Sequence, residues 1–376
     1  MTTQTSPTDL PQVEVDPQID NDSSYGDELS SYTTSLTSSV LNYRHENGRR
    51  YHAYRDGTYL MPNDESESDR LDMVHEMVLT MMHRKLFLAP IKSPQRVIDL
   101  GTGTGIWAID FVADRQSNES FACYRVPPNV KFLVDDIESD WIYEHPFDFI
   151  HARYLAVSIK DFPKLIRQCY RQTNNHRVIH TVINQCSSSN TKPGGWVEFQ
   201  DWDGYPTSED DSIKGTALEQ YYNEVYSGFE MQGYETRPGM RLEQWFRDAG
   251  FVDIHVERYR IPLGTWPKDP YFKKVGAWCQ MQAEADGFEA FAMAVLTRFK
   301  NWTKDEVMVL AAKARQDTRN RNIHMLFNLC VEFHFMERSI LMSVCSDHSY
   351  VVYGRRPERG KDTTMPVRTL RKRTVQ

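Results

Sequence analysis

The chain is short of cysteine: six in 376 residues, with no Cys-x-x-Cys pair and no spacing typical of metal ligands. That excludes a disulfide-stapled framework and a zinc module, and points to reduced thiols in an intracellular protein. No apolar run approaches the roughly 20 residues that a membrane-spanning helix needs. The N-terminus lacks the charged-then-apolar order of a secretory leader. Positive charge is also scarce. Forty-four Lys and Arg against 52 Asp and Glu leave a net charge of −8, the wrong sign for a protein that tracks a phosphate backbone. A soluble cytoplasmic protein is expected, with no membrane, no direct nucleic acid and no metal among its partners. Apolar residues are not scarce: 40% hydrophobic and 12% aromatic content suffice for one large packed domain or two ordinary ones.

Both ends are polar. Residues 1–38 are rich in Ser, Thr, Asp, Gln and Pro and too poor in apolar surface to offset chain entropy, so they read as a disordered tail. Residues 358–376 form a basic tail whose "RTLRKR" reads first as a solvated segment; nuclear import or polyanion binding is the lesser reading.

Between the tails, strand and helix patterns alternate. "ESDRLDMVHEMVLTMMHRKL" has apolar residues at helical spacing, with acids early and bases late. "RVIDL" reads as a strand, "GIWAIDFVADR" as a helix, "VKFLV" (130–134) and "FDFIHAR" (147–153) as strands. "DFPKLIRQCYR" suits a helix capped by Asp161. Strands follow at "GGWVEFQ", "VDIHVERYRIPL" and "YVVYGRRP", with a helix-then-glycine stop at "MRLEQWFRDAGF" and further helical patterns over about 266–328. Alternation of this kind implies a mainly parallel sheet covered on both faces.

"RVIDLGTGTGIWAIDF" carries the chemistry: a strand, three glycines in five positions, then a helix. In open parallel sheets ligands sit beyond the carboxyl ends of strands, where Gly101, Gly103 and Gly105 stand. Glycines let backbone amides approach a ligand closely. The spacing differs from the dinucleotide pattern Gly-x-Gly-x-x-Gly because residue 106 is Ile, and no Gly-Lys-Ser/Thr follows for a phosphate loop. Asp-x-Gly-x-Gly-x-Gly suits a ligand with an amino-acid end and a nucleoside end, Asp99 meeting its ammonium.

"VIDLGTGTG" resembles the first motif of class I S-adenosylmethionine-dependent methyltransferases. With "YRHENGRRYHAYRDGTYLMPNDESESDRLDMVH", "VDDIESDW", "FDFIHARYL", "KPGGWVEFQDWD", "RPGMRLEQWFRDAGF", "IPLGTWPKD" and "YVVYGRRP", the chain resembles the fungal methyltransferase-domain family that includes the LaeA-like regulators of secondary metabolism. The resemblance implies one methyltransferase domain over residues 39–357. Its fold would be α/β, Rossmann-like and doubly wound: a mainly parallel seven-stranded sheet with helices on both faces, an N-terminal cap and a C-terminal helical lid. It also implies S-adenosyl-L-methionine as cofactor. Asp99, Gly101, Thr102, Gly103 and Gly105 would hold the methionine end, Asp135 or Asp136 the adenine amino group, and Ile137 the ring. His151, Ala152 and Arg153 would line the mouth where donor and acceptor meet, with His151 as the catalytic candidate. Tyr51, Tyr54 and Tyr59 would cap the cofactor. Plainer alternatives stay open: Asp135 and Asp136 as turn formers, and His151 and Arg153 as a loop ion pair with Asp148 or Glu198. Glu198, Asp201 and Asp203 are further general-base candidates, "QDWDGYP" a pocket wall, and Trp266, Trp278 and Phe288 packing residues.

Three stretches depart from the family: about 114–125, where only Glu119 stands near a ribose-binding position, 172–191 and 330–349. They read either as mispredicted splice junctions or as surface loops, which close at little entropic cost. Two functions follow. The first is methyl transfer to a small secondary metabolite or to a protein; the second is a LaeA-like regulator of secondary metabolism, non-catalytic or weakly catalytic, acting through protein partners.

Overall fold

The computed structural model describes residues 43–115, 127, 129–170, 191–328 and 349–355. Most of each departing stretch, Glu119 included, and both tails lie outside these residues. A two-stranded hairpin, β1 (Arg44–Glu46) and β2 (Arg49–Tyr51), leads into α1 (Glu65–Met81). Asp64 caps α1, its carboxylate accepting from the Glu67 amide, while Arg49 grips the same carboxylate through Nε and Nη2, both at 2.7 Å. One acid thus starts the helix and pins the hairpin to it.

The main sheet comprises β3 (Val97–Leu100), β4 (Phe147–Arg153), β5 (Thr191–Asp201), β6 (Val252–Pro262), β7 (Leu326–Asn328) and β8 (Ser349–Arg355), in the spatial order β3-β4-β5-β8-β6-β7. β3, β4 and β5 run parallel, and β8 lies antiparallel between β5 and β6. Among the described residues this sheet therefore has six strands, not seven. The expected strand "VKFLV" is irregular chain, with Phe132, Leu133 and Val134 at 47%, 73% and 57% exposure. No described strand lies on the open side of β3, so this apolar run has no ladder to join, and β-propensity without a partner does not make a strand.

Alternation of side chains gives each face of the sheet its own layer. On one side α2 (Ile106–Arg115) packs Trp107 and Phe111 on Phe149, with Ala89 beside them. On the other, α3 (Phe162–Tyr170) and α5 (Leu242–Asp248) pack Phe162 and Phe246 on Phe199 and Ile150. Asp161 caps α3 as expected, accepting from the Lys164 amide at 2.8 Å. Burying each such phenyl ring contributes roughly 2–3 kcal/mol.

A third layer stands at the carboxyl end of the parallel strands. It comprises α4 (Ala217–Met231), α6 (Pro270–Gln282), α7 (Phe288–Phe299) and α8 (Lys304–Thr318), whose apolar faces form one core with α1. A π-type turn, Ala283–Gly287, joins α6 to α7 and turns at Asp286, where φ is +67°. The Ser66 hydroxyl of α1 donates to Asp286 Oδ2 at 2.6 Å, latching this turn to the cap.

Candidate active site

β3 ends at the glycine turn, and its register sets the site. Asp99 pairs with His151 on β4, and His151 with Glu198 on β5, so the three stand in one row on the α2 face. The fully buried His151 imidazole lies 2.6 Å from Asp99 Oδ1 through Nδ1. An ionised carboxylate only accepts, so Nδ1–H donates and Nε2 keeps a bare lone pair. The imidazole also stacks on Trp107, centroids 3.7 Å apart and planes within 3°. Burial pushes its pKa below the ordinary value, against the pull of Asp99, so the ring is neutral.

Two residues further along β4, Arg153 is part-buried. Its Nη2 donates to His75 Nδ1 at 2.8 Å, so the His75 proton sits on Nε2 and is given to Asp110 Oδ2 at 2.9 Å. Desolvation lowers the Arg153 pKa to about 10 and that of His75 below its usual value. Neither acid named in the alternative reading of His151 is its partner. It pairs with Asp99; Asp148 instead accepts the Gln95 and Arg96 amides, and Glu198 the Leu88 and Ala89 amides.

The turn itself needs glycine. Gly101, Gly103 and Gly105 have φ of +65°, +58° and +82°, a region that costs other residues energy. α1 covers the turn with one face: a Cβ on Gly103 would lie 3.5 Å from Leu71, and the Thr104 hydroxyl donates to Asp72 at 2.7 Å. A Cβ on Gly101 would meet Leu155 at 2.6 Å, and one on Gly105 the Phe132 ring at 2.5 Å. Around this bare backbone Thr102 Oγ1, His151 Nε2 and Arg153 Nη1 are buried with no hydrogen-bond partner among the described residues. Each such orphan costs about 1–3 kcal/mol unless a ligand satisfies it. A cradle of positive-φ glycines beside three orphaned polar atoms fits the carboxylate and ammonium of an amino-acid ligand.

The other expected residues fall into two groups. Asp136 is a turn former in its own right: it accepts from the Glu138 amide at 2.9 Å and the Ser139 hydroxyl at 3.0 Å, and pairs with Arg55. Asp135 accepts from the Asp136 amide at 2.8 Å, and Ile137 packs against the α3 core. Tyr54 is 37% exposed; Tyr51 is buried beneath the Arg298 guanidinium. The carboxylates proposed as bases are structural instead. Asp201 accepts three amides, from Leu155, Ala156 and Trp202. Asp203, fully buried, holds Arg237 through Nε at 2.6 Å and Nη2 at 2.8 Å.

A pocket opens beyond the ends of β4 and β5, under the helical layer, with about 770 Å³ of space partly open to solvent. Leu71 lines it and so joins it to the glycine turn. Tyr59, Tyr154, Trp202, Tyr226, Phe288 and Phe291 supply aromatic wall. His151 is not among its lining residues. Sequence reasoning missed His75, Arg70 and the tyrosines of α4. The Leu71 and His75 pair, four residues apart on one face of α1, was a legible signal for the first.

A methyltransferase-domain family profile matches residues 73–256. The chain is 36% identical over 344 residues to methyltransferase pytC of Aspergillus terreus, covering 88% of this chain and 98% of that one. It is 32% identical to the secondary metabolism regulator LAE1 of Cochliobolus heterostrophus, covering 76% and 92% respectively. It is 29% identical to the protein-methionine methyltransferase laeA of Emericella nidulans, covering 75% and 73%.

Proposed function

Because this chain belongs to the fungal methyltransferase-domain family of pytC and the LaeA regulators, we propose that it methylates a small molecule held in the aromatic pocket between the glycine turn and the helical layer. It is a methyltransferase, and its cofactor is S-adenosyl-L-methionine. The observation that carries the small-molecule reading is that Leu71 touches both the turn and the aromatic pocket.

On this reading Asp99 takes the cofactor's ammonium, while Thr102, Arg153 and the amides of Gly101, Gly103 and Gly105 take its carboxylate. Asp135, Ile137 and Tyr54 stand as the candidates for the nucleoside end, with Asp136 already committed to its turn and to Arg55. When bound, the cofactor supplies a methyl group made electrophilic by a sulfonium. The protein's part is positioning and exclusion of water. His151 acts as a positioning residue: its Nδ1–H fixes the Asp99 carboxylate, and Trp107 fixes His151. Residues 39–357 form one domain with its lid at about 266–328.

A second reading follows from the names of two relatives, a regulator and a protein-methionine methyltransferase: methylation of a protein partner, in the cytoplasm or the nucleus. Incubating the purified chain with methyl-labelled cofactor and fungal extract tests the choice. Label in the small-molecule fraction supports the proposal; label confined to protein favours the second reading.

A further inference from the structure

The pocket has a chemistry that narrows what it can methylate. Among the described residues its lining holds no carboxylate, imidazole, amine or thiol. Its one charged group is the Arg70 guanidinium, and that is engaged. Nε and Nη2 donate to Glu67 at 2.8 and 2.7 Å, and Nη1 to Gln282 at 3.0 Å. The Tyr221 hydroxyl donates to the Phe288 carbonyl at 2.7 Å, and those of Tyr59 and Tyr154 are held by Ser158 and Arg70. Two hydroxyls remain. Tyr222 and Tyr226 sit one turn apart on α4, rings stacked 5.8 Å apart, and neither hydroxyl has a hydrogen-bond partner among the described residues. Burial raises both phenols well above their ordinary pKa, so both keep their protons and offer them as donors.

A lining without a base cannot take a proton from an acceptor hydroxyl. The acceptor must therefore lose it to water beforehand, which an enol or phenol of low pKa does. Two charge-assisted O–H donors offset part of the cost of burying the resulting anion. Rings from several sides favour a flat conjugated partner. A peptide would bring backbone groups into a wall with almost no free partners, past a turn latched by the Ser66–Asp286 and Arg70–Gln282 contacts.

We propose that the pocket selects a flat, conjugated small molecule carrying an acidic enol or phenol, bound as its oxyanion by the hydroxyls of Tyr222 and Tyr226. The acceptor role of this molecule rests on the methyl-transfer reading; the binding chemistry does not.

Calorimetric titration of the full chain with 4-hydroxycoumarin, an acidic enol, and with coumarin, which lacks the hydroxyl, tests this with and without S-adenosylhomocysteine. The enol is expected to bind about tenfold more tightly than coumarin or better. The double substitution Tyr222→Phe, Tyr226→Phe is expected to abolish that preference while leaving coumarin binding in place, which also reports that the pocket is intact. Equal binding of the two compounds, no binding of either while S-adenosylhomocysteine binds, or a preference that survives the double substitution would overturn the proposal. A preference lost in the double variant, in a chain that does not bind S-adenosylhomocysteine, supports the pocket chemistry and removes the methyl-transfer reading instead.

Discussion

Asp99 and His151 stand directly opposite each other on neighbouring parallel strands, joined at 2.6 Å, with the indole of Trp107 lying flat on the imidazole. The carboxylate at the tip of β3 is thus aimed before any ligand arrives. Asp99→Asn keeps the shape and removes the charge. Cofactor affinity should fall about 10- to 100-fold, as expected for a lost hydrogen bond to a charged group, with thermal unfolding only slightly earlier. Lower stability at unchanged affinity would mean that Asp99 serves His151 alone.

Glu198 is fully buried and accepts from the Leu88 and Ala89 amides and the Gln200 side chain, strapping the segment after α1 across the sheet. Burial still pushes its pKa up to about 7. A carboxyl whose folded pKa is raised contributes its full stability below its unfolded value and loses it as pH rises through the folded one. Relative to Glu198→Gln, the wild type should therefore lose roughly 1–3 kcal/mol of unfolding free energy between pH 5 and pH 8, read from denaturant titrations. A difference that does not change with pH would contradict this.

His75 and His151 act in the opposite sense. Both have folded pKa values lowered by burial, so their contribution is complete above the ordinary histidine value and is lost as pH falls below it. In a His75→Gln variant, stability should decline less steeply than in the wild type as pH drops from about 6.5. An unchanged slope would show that folding leaves the His75 pKa where it is in the unfolded chain.

Arg237 and Asp203 form an asymmetric pair, the acid fully buried and the guanidinium one-third exposed. Removing the cation leaves a buried carboxylate without it, whereas removing the acid lets the arginine turn to water. Arg237→Ala should cost about 3–5 kcal/mol, and Asp203→Ala distinctly less. Equal losses in urea melts would refute the asymmetry.

What the sequence disclosed was local. The order of strand, glycine turn and helix at 96–111, the Asp161 cap and the helix-glycine stop before β6 depend on neighbours a few residues away, and all are present. What it hid was long-range. Glu198 and Asp201 stand where a base would, yet each satisfies backbone amides 110 and 46 residues distant, which no local pattern announces. The pairing of His151 was half legible. Asp148 lies an odd number of residues away on the same strand and so faces the opposite side. Register with β3, not motif, identifies Asp99. "VKFLV" misled because strand propensity becomes structure only beside a partner.

The central claim is that the turn from Asp99 to Gly105 is bare so that an amino-acid-bearing nucleoside can lie on it. Titrating S-adenosylhomocysteine into the wild type and into Gly103→Val measures this directly, with circular dichroism confirming that both are folded. The account expects one site in the wild type and binding weakened at least about tenfold in the variant. Absence of heat in the wild type, or equal affinity in the two proteins, would contradict it.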